Sequence, residues 1–403
     1  MKHISRCRSA VQRNRTLCWG VVLLLLSACL PATRVTPTSP AWTTRPRTAC
    51  PHSLLLGDVE LRYTPANVVG CSAERPCILL HGPRGDLRYI EFSLTDGLKI
   101  ERDQMLSLAP GAINGRMGAA LTGEEIVITL GSRSASSATV AKFSKSGDLL
   151  WQTTQELAEN YWQRFAVSDD EVAVLFVAST GATLQAFGRM DGVPRRTAQL
   201  VERRFEIYDA CLLRVGDELF AAWIGKERYV DQGDTILDSA WISTVTGDVR
   251  PGPRYRHKPL GHALECAPQG DDVGILLLEE DGLMRFTRVG PPGTAARSMD
   301  VAMDLRANSI YKFHEPQLVA DGGGFAVAWD ARERGHDPSP PRPFVSFLDL
   351  DGRRTRIVRL DHHGANIRLV PGPHGPSALY WTGNSRLSAA RVRCGGEGPP
   401  YSP

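Results

Sequence analysis

A unit of about fifty residues recurs along this chain, and no other feature restricts its fold as much. Hydrophobic alternation of period two runs from about residue 55 to about 393, and long stretches of period 3.6 are scarce. Each unit reads as a short strand, a polar Gly/Asp turn, an apolar strand, a variable loop, a third strand and a Gly turn. One copy takes 162–167, the turn 168–171, then 172–178, 183–189 and the pair Asp191-Gly192. The order returns at 210–224 with 239–245, at 264–278 with 283–289, and at 317–329 with 344–350. Looser copies stand at 68–94, 118–143 and 366–392, which makes seven.

The first-turn positions 123, 169, 216, 270, 322 and 372 are separated by 46, 47, 54, 52 and 50 residues. That period, with three or four strands per unit, predicts an all-β chain folded as a single β-propeller of about seven four-stranded blades. Six or eight blades, or a pair of β-sandwiches, are the alternatives. The last copy has room for only three strands, and the segment 53–63 stands ahead of the first copy. It could supply the missing outer strand and leave no free edge in the ring.

The first residues read as an address. Lys2, Arg6, Arg8, Arg13 and Arg15 precede an apolar run at 17–26, which is too short to span a bilayer as a permanent anchor. Residues 1–28 therefore read as a signal peptide. Leu26-Ser27-Ala28-Cys29 resembles the bacterial lipobox, which implies that Cys29 takes acyl chains, palmitate among them, and becomes the new N-terminus. Leu30 is not Asp, which resembles cargo sent on to the outer membrane. Losing the five leader cations turns the net charge from +3 to −2 (3 − 5), so no strong attraction to nucleic acid is expected. Residues 29–48 read as a flexible Pro/Thr/Ser linker, 49–394 as the propeller and 395–403 as a disordered tail.

Of 9 cysteines, Cys7 and Cys18 leave with the leader and Cys29 takes lipid. Cys50, Cys71, Cys77, Cys211, Cys266 and Cys394 remain, an even number that suggests disulfides in an exported chain. Sequence alone allows about fifteen pairings. Ring closure would bring Cys50 near Cys394, and Cys71 and Cys77 flank one hairpin turn. Cys211 and Cys266 would then be left at nearly equivalent places in adjacent blades.

Residues 141–151, Ala141-Lys142-Phe143-Ser144-Lys145-Ser146-Gly147-Asp148-Leu149-Leu150-Trp151, resemble the Ala-x-Asp-x-x-Thr-Gly-x-x-x-Trp blade motif of quinoprotein-like (PQQ-repeat-like) propellers. Phe143 replaces the Asp and Ser146 the Thr. The resemblance implies that Trp151 docks between neighbouring blades; it does not imply a quinone cofactor. Lipobox, linker and ring together also resemble the propeller lipoprotein of the outer-membrane β-barrel assembly machinery, in architecture alone.

In an antiparallel four-stranded blade, the loop between strands two and three lies on the same face as the link into the next blade. That loop face should carry the long loops 225–238, with Arg228, and 330–343, with Arg332. Just ahead of the innermost strands, Tyr161, Tyr208, His262 and His314 each lie eight residues before the turn, and His363 nine before, with Asp209 and Glu315 beside them. Imidazoles and phenols at one mouth suit a polar ligand. His262, His314 and His363 are a weak candidate metal set, and no cofactor is otherwise expected. No esterase elbow, zinc-peptidase helix, phosphate loop or Cys-x-x-Cys motif occurs. The expectation is thus an exported cell-envelope lipoprotein, held at the membrane by lipid, whose propeller binds a protein, peptide or glycan. An exported propeller enzyme (a lyase, hydrolase or metal-dependent lactonase using the channel-mouth histidines) is the alternative.

Overall fold

A computed structural model describes residues 53–392, leaving out 62–67, 70–75, 82–86, 109–116, 123, 133–136, 157–161, 179–180, 202–204, 228–234, 258–259, 280–283, 293, 295–296, 304–309, 314–315, 334–340, 361–362, 373–374 and 383–384. Internal contacts divide the chain into Met1–Arg45 and Pro46–Pro403, and the described residues belong to the second unit. The leader, Cys29, the linker, the tail, Cys50, Cys71 and Cys394 lie outside them. Among the described residues no helix is long and apolar enough to cross a membrane.

Second strands are apolar almost without interruption, as in Glu171–Ala178, which is buried at every position but the last. Such a strand is covered on both faces. The outermost strand of the same sheet, Pro194–Val201, alternates exposed and half-buried positions along most of its length. Sheets with this gradient stack face to face around an axis. Seven antiparallel sheets do so here, at 68–106, 117–156, 162–201, 205–257, 260–303, 310–359 and 365–392, and the protein is a seven-bladed β-propeller. Blade 7 is completed from the far end of the chain. Ser53–Glu60 lies antiparallel to Arg386–Val392, from Ser53 opposite Val392 to Glu60 opposite Arg386, with a bulge at Leu56. The segment expected to close the ring closes it.

Two blades depart from four unbroken strands. The outer strand of blade 4 is split into Val249–Pro251 and Tyr255–His257, both on Thr235–Ser243. Pro251 and Pro253 bring no N–H to the ladder between them. In blade 6, Pro316 precedes the second half of an innermost strand divided into Ile310–Phe313 and Gln317–Asp321.

The core is distributed over the seams between blades. Ile128, Phe143 and Tyr89 fill the first seam, Val174, Phe176 and Val127 the second, and Leu175, Trp223 and Ile207 the third. Leu264, Ile275 and Trp241 fill the fourth. Phe286 and Phe325 meet across the fifth with ring centres 5.0 Å apart. Val345 and Tyr380 fill the sixth, and Leu379, Ile90 and Phe92 the seventh. In the fourth seam Cys211 and Cys266 form a disulfide with Cα atoms 6.1 Å apart, joining adjacent innermost strands. Cys77 is also disulfide-bonded.

Polar clasps add to these seams on the face that carries the tight turns. The Trp151 indole N–H of blade 2 donates to the Arg189 carbonyl of blade 3 (2.9 Å), and the Thr153 hydroxyl donates to Gly192 O (2.8 Å). Arg196 of blade 3 reaches the Thr244 carbonyl of blade 4, Arg288 of blade 5 the Leu350 carbonyl of blade 6, and Arg391 of blade 7 the Leu94 carbonyl of blade 1. Gly192 has φ +66°, and a Cβ there would stand 2.5 Å from the Trp151 ring. Left-handed strain and overpacking together should make Gly192→Ala cost about 3 kcal/mol in urea unfolding. Adding Trp151→Ala should remove only the overpacking part, so the two substitutions should not be additive.

An acid opens the second strand in four consecutive blades: Glu125, Glu171, Glu218 and Asp272. Each meets cations: Glu125 meets Lys142 (2.8 Å) and Arg189 (3.2 Å), Glu171 meets Arg196, Glu218 meets Arg250, and Asp272 meets Arg288. Burial pushes the Glu125 carboxyl up, but hydrogen bonds and charge from Lys142, then Arg189, outweigh it and hold the group below its ordinary value. A carboxyl depressed in the folded state contributes stability above its unfolded pKa of about 4.3 and loses it as pH falls through the folded value. Glu125→Gln should therefore lower the unfolding free energy measured in urea near neutrality by about 2 kcal/mol, since Lys142 is buried. Between about pH 6 and about pH 3 the variant should lose less stability than the wild type. An equal acid dependence in both would count against the ion pair.

Candidate functional site

The chain alternates between two unlike faces. Turns between strands one and two, and between three and four, lie on one; the loops between strands two and three and the links into the next blade lie on the other, the loop face.

Innermost strands approach the loop face through bulges. In blade 4, Phe205–Val215 pairs with Glu218–Glu227 until the register shifts between Ile207 and Asp209, which makes Tyr208 the extra residue. In blade 5, Leu260–Gln269 shifts between Leu260 and Ala263, a span that contains His262. In blade 7, Ala365–Val370 shifts between Ala365 and Arg368, and Asn366 takes φ +53°. A bulge leaves one residue unpaired and re-aims its side chain. Two residues picked out in the sequence, Tyr208 and His262, thus occupy irregular positions at the same level of adjacent strands.

Tyr208 is half-buried, with the Lys226 ammonium 6.0 Å from its ring centre, and Lys226 lies 3.6 Å from Glu206. A hydrogen bond with the Tyr208 hydroxyl, then the Glu206 charge, raises the Lys226 pKa. Further out on blade 4, Arg254 stands between Glu227 (3.4 Å) and Asp238 (3.8 Å). Burial raises the Asp238 pKa against the opposing Ser239 N–H and Arg254. This end of blade 4 therefore offers an aromatic ring, two cations and three carboxylates, a set suited to hydrogen-bonding a polar ligand.

Asp209 does something different. Its Oδ1 accepts from Ala210 N (2.9 Å) and Arg164 Nη2 (3.1 Å), and its Oδ2 accepts from Leu264 N (2.9 Å). Arg164 Nε also donates to Ala210 O (2.8 Å). One buried carboxylate thereby ties the innermost strands of blades 3, 4 and 5, two residues from the Cys211–Cys266 bridge. Asp330 acts likewise between blades 6 and 7: fully buried, it accepts from the bulged Asn366 N (2.5 Å). Lys226, Arg254, Arg164 and Asp330 were not singled out as site residues from the sequence. For Asp330 the signal in the sequence is an acid at the end of the apolar run 325–329.

His363 is exposed, one residue before Gly364, whose N–H donates to Pro341 O (2.9 Å). For His262 and Arg332 the backbone alone is described; Tyr161, Arg228, His314 and Glu315 lie outside the described residues. Among the described residues no group of three His, Cys, Asp or Glu side chains stands together to hold a metal.

A closed ring of seven blades with a rigid inner layer and variable loops on one face defines the β-propeller class. No family model matches the chain, and no curated protein matches its sequence. Solved structures are similar in fold. An ulvan lyase of polysaccharide lyase family PL25 superposes with a TM-score of 0.54 at 10% identity over 85% of this chain and 98% of the lyase. The β-propeller domain of Myceliophteria thermophila Cps50 (Swd1) gives 0.51 at 10% over 85% and 100%. A prolyl endopeptidase gives 0.49 at 14% over 84%, and the chain spans only 51% of that enzyme's length. At such identities the likenesses to the lyase and to Cps50 show the fold alone, and one fold serves unrelated functions.

Proposed function

We propose that this protein is an exported cell-envelope lipoprotein, acylated at Cys29 and held at the outer membrane, whose propeller binds a protein or glycan partner on its loop face. The observation that carries the binding reading is the bulged level of the innermost strands. Tyr208 and its Lys226–Glu206 surroundings stand directly on a layer locked by Asp209 and the Cys211–Cys266 bridge. A rigid layer beneath variable loops is how binding sites gain precision without ordering costs. The lipobox-like Leu26-Ser27-Ala28-Cys29 supports the anchor. Trp151, which carries the likeness to quinoprotein-like blades, lays its indole on the next blade's turn, and that supports kinship in blade packing.

The test uses the full chain in a Gram-negative host. Cys29→Ala should move the protein from the membrane to the soluble fraction. Tyr208→Ala with Lys226→Ala should cut recovery of cross-linked envelope protein or glycan at least tenfold (about 1.4 kcal/mol) without changing the melting temperature. Stoichiometric metal in the purified wild type, absent after His262, His314 and His363 are changed to Ala, with partner recovery unaffected, would favour the exported enzyme instead.

A further inference from the structure

The face opposite the loops carries the exposed apolar side chains. Among the described residues, the large hydrophobics left open to solvent concentrate at the turn between strands three and four or at the start of the outermost strand. They include Ile100 of blade 1, Leu150 of blade 2, Met190 of blade 3, Val245 of blade 4, Leu350 of blade 6 and Leu55 of the closing strand. Val245 is 85% exposed and Met190 74%, and neither fills any seam. Met105, at the other end of its strand, is the exception. Scattered apolar residues need no explanation singly. Here six of the seven blades contribute one to the same rim.

The chain reaches the ring on this same side. Ser53 pairs with Val392 at the turn-face end of blade 7, and Leu98 N of the blade 1 turn donates to Leu56 O (3.0 Å). The first described residue, Ser53, therefore lies on the side of the apolar rim. Fully extended, the roughly two dozen residues between Cys29 and Ser53 reach on the order of 80 Å, so length alone leaves either face free to turn towards the bilayer. The rim breaks that tie. Its charges are of both signs, with Lys99, Arg195 and Arg353 exposed as well as Asp96, Asp191 and Asp248. That mixture suits a headgroup layer bearing both phosphate and ammonium, and it gives no preference for a strongly anionic surface.

The geometry points to the turn-face rim as a membrane-docking surface for a zwitterionic bilayer, which orients the acylated protein so that its loop face looks away from the lipid. This rests on the lipid-anchor reading above. The acyl chains supply the affinity. Shallow insertion of single apolar side chains from several blades supplies the orientation, as at other interfacial surfaces. A partner then finds the Tyr208 side of the ring free.

Spin labels on cysteines introduced at 190, at 245 and, as the loop-face reference, at 227 would be read on the full acylated chain bound to phosphatidylethanolamine/phosphatidylcholine vesicles. The labels at 190 and 245 should be at least threefold less accessible to a water-soluble paramagnetic relaxant than the label at 227. Met190→Asp with Val193→Asp should abolish that difference at 245 while leaving the protein on the vesicles. Equal accessibility of all three labels on vesicle-bound acylated protein would overturn the docking surface and leave the anchor intact. Protection at 190 and 245 in cell envelopes but not on pure vesicles would assign the rim to a protein partner and also overturn it. A chain without acyl mass on Cys29 that fails to float with vesicles would overturn the anchor and this orientation together.

Discussion

Deleting residues 30–60 from the chain that carries Cys29→Ala is expected to convert a closed ring into oligomer or aggregate. Arg386–Val392 would lose its partner along a whole strand and present an open edge with buried Leu387 and Ala389 beside it. Leu56 and Val59 would leave the apolar cluster of the blade 7–blade 1 seam, and Leu98 N would lose the Leu56 carbonyl. Several ladder hydrogen bonds at about 1 kcal/mol each, together with that apolar burial, approach the total stability of an ordinary domain. Size-exclusion chromatography reads the result. A synthetic peptide spanning 50–63 should return part of the material to monomer, since it restores the missing strand. A truncated chain that stays monomeric with an unchanged urea midpoint would show that the ring does not depend on its closing strand.

The second large effect is expected at Asp209. Asp209→Ala leaves Ala210 N and Leu264 N without an acceptor and Arg164 without its carboxylate, all within the inner layer. Losing acceptors for two backbone donors and the partner of one guanidinium should cost about 4 kcal/mol. Asp209→Asn keeps one acceptor oxygen and should fall between. Urea unfolding with the Cys211–Cys266 bridge intact measures both. A variant with wild-type stability that had lost only partner binding would return Asp209 to the ligand-contacting role expected from the sequence.

Asp209 also illustrates which parts of this protein a sequence displays. The blades were legible because a second strand covered on both faces must be apolar along its length, as Val172 to Val177 is. Turns at Gly147, Gly192 and Gly247 need positive φ, which glycine adopts freely. The closing strand was legible because the seventh copy was short by one strand. The Asp209 partners, by contrast, lie 45 and 55 residues away on other blades, and no local pattern records them. Bulges are equally hidden, being a count of one strand against another. Counting back from the turns found Tyr208 and His262 without showing that both stand where the ladder breaks. The Lys226–Tyr208 approach depends on the bulge between Ile207 and Asp209 in one hairpin, which the turn at Gly216 does not reveal.

The clasps on the turn face make the repeats unequal. A ring of near-identical modules can assemble in the wrong order, skip a member or exchange one with a second molecule. Here an indole closes one seam, arginines reaching carbonyls close three others, and a carboxylate with a disulfide locks the inner layer of the fourth. A blade offered to the wrong neighbour would leave Trp151, Arg196 or Arg391 without its acceptor and Asp209 as a buried charge without its donors. Five of the seven seams thus carry an address of the neighbour they join, and those addresses restrict the circular order that the shared strand pattern leaves undetermined.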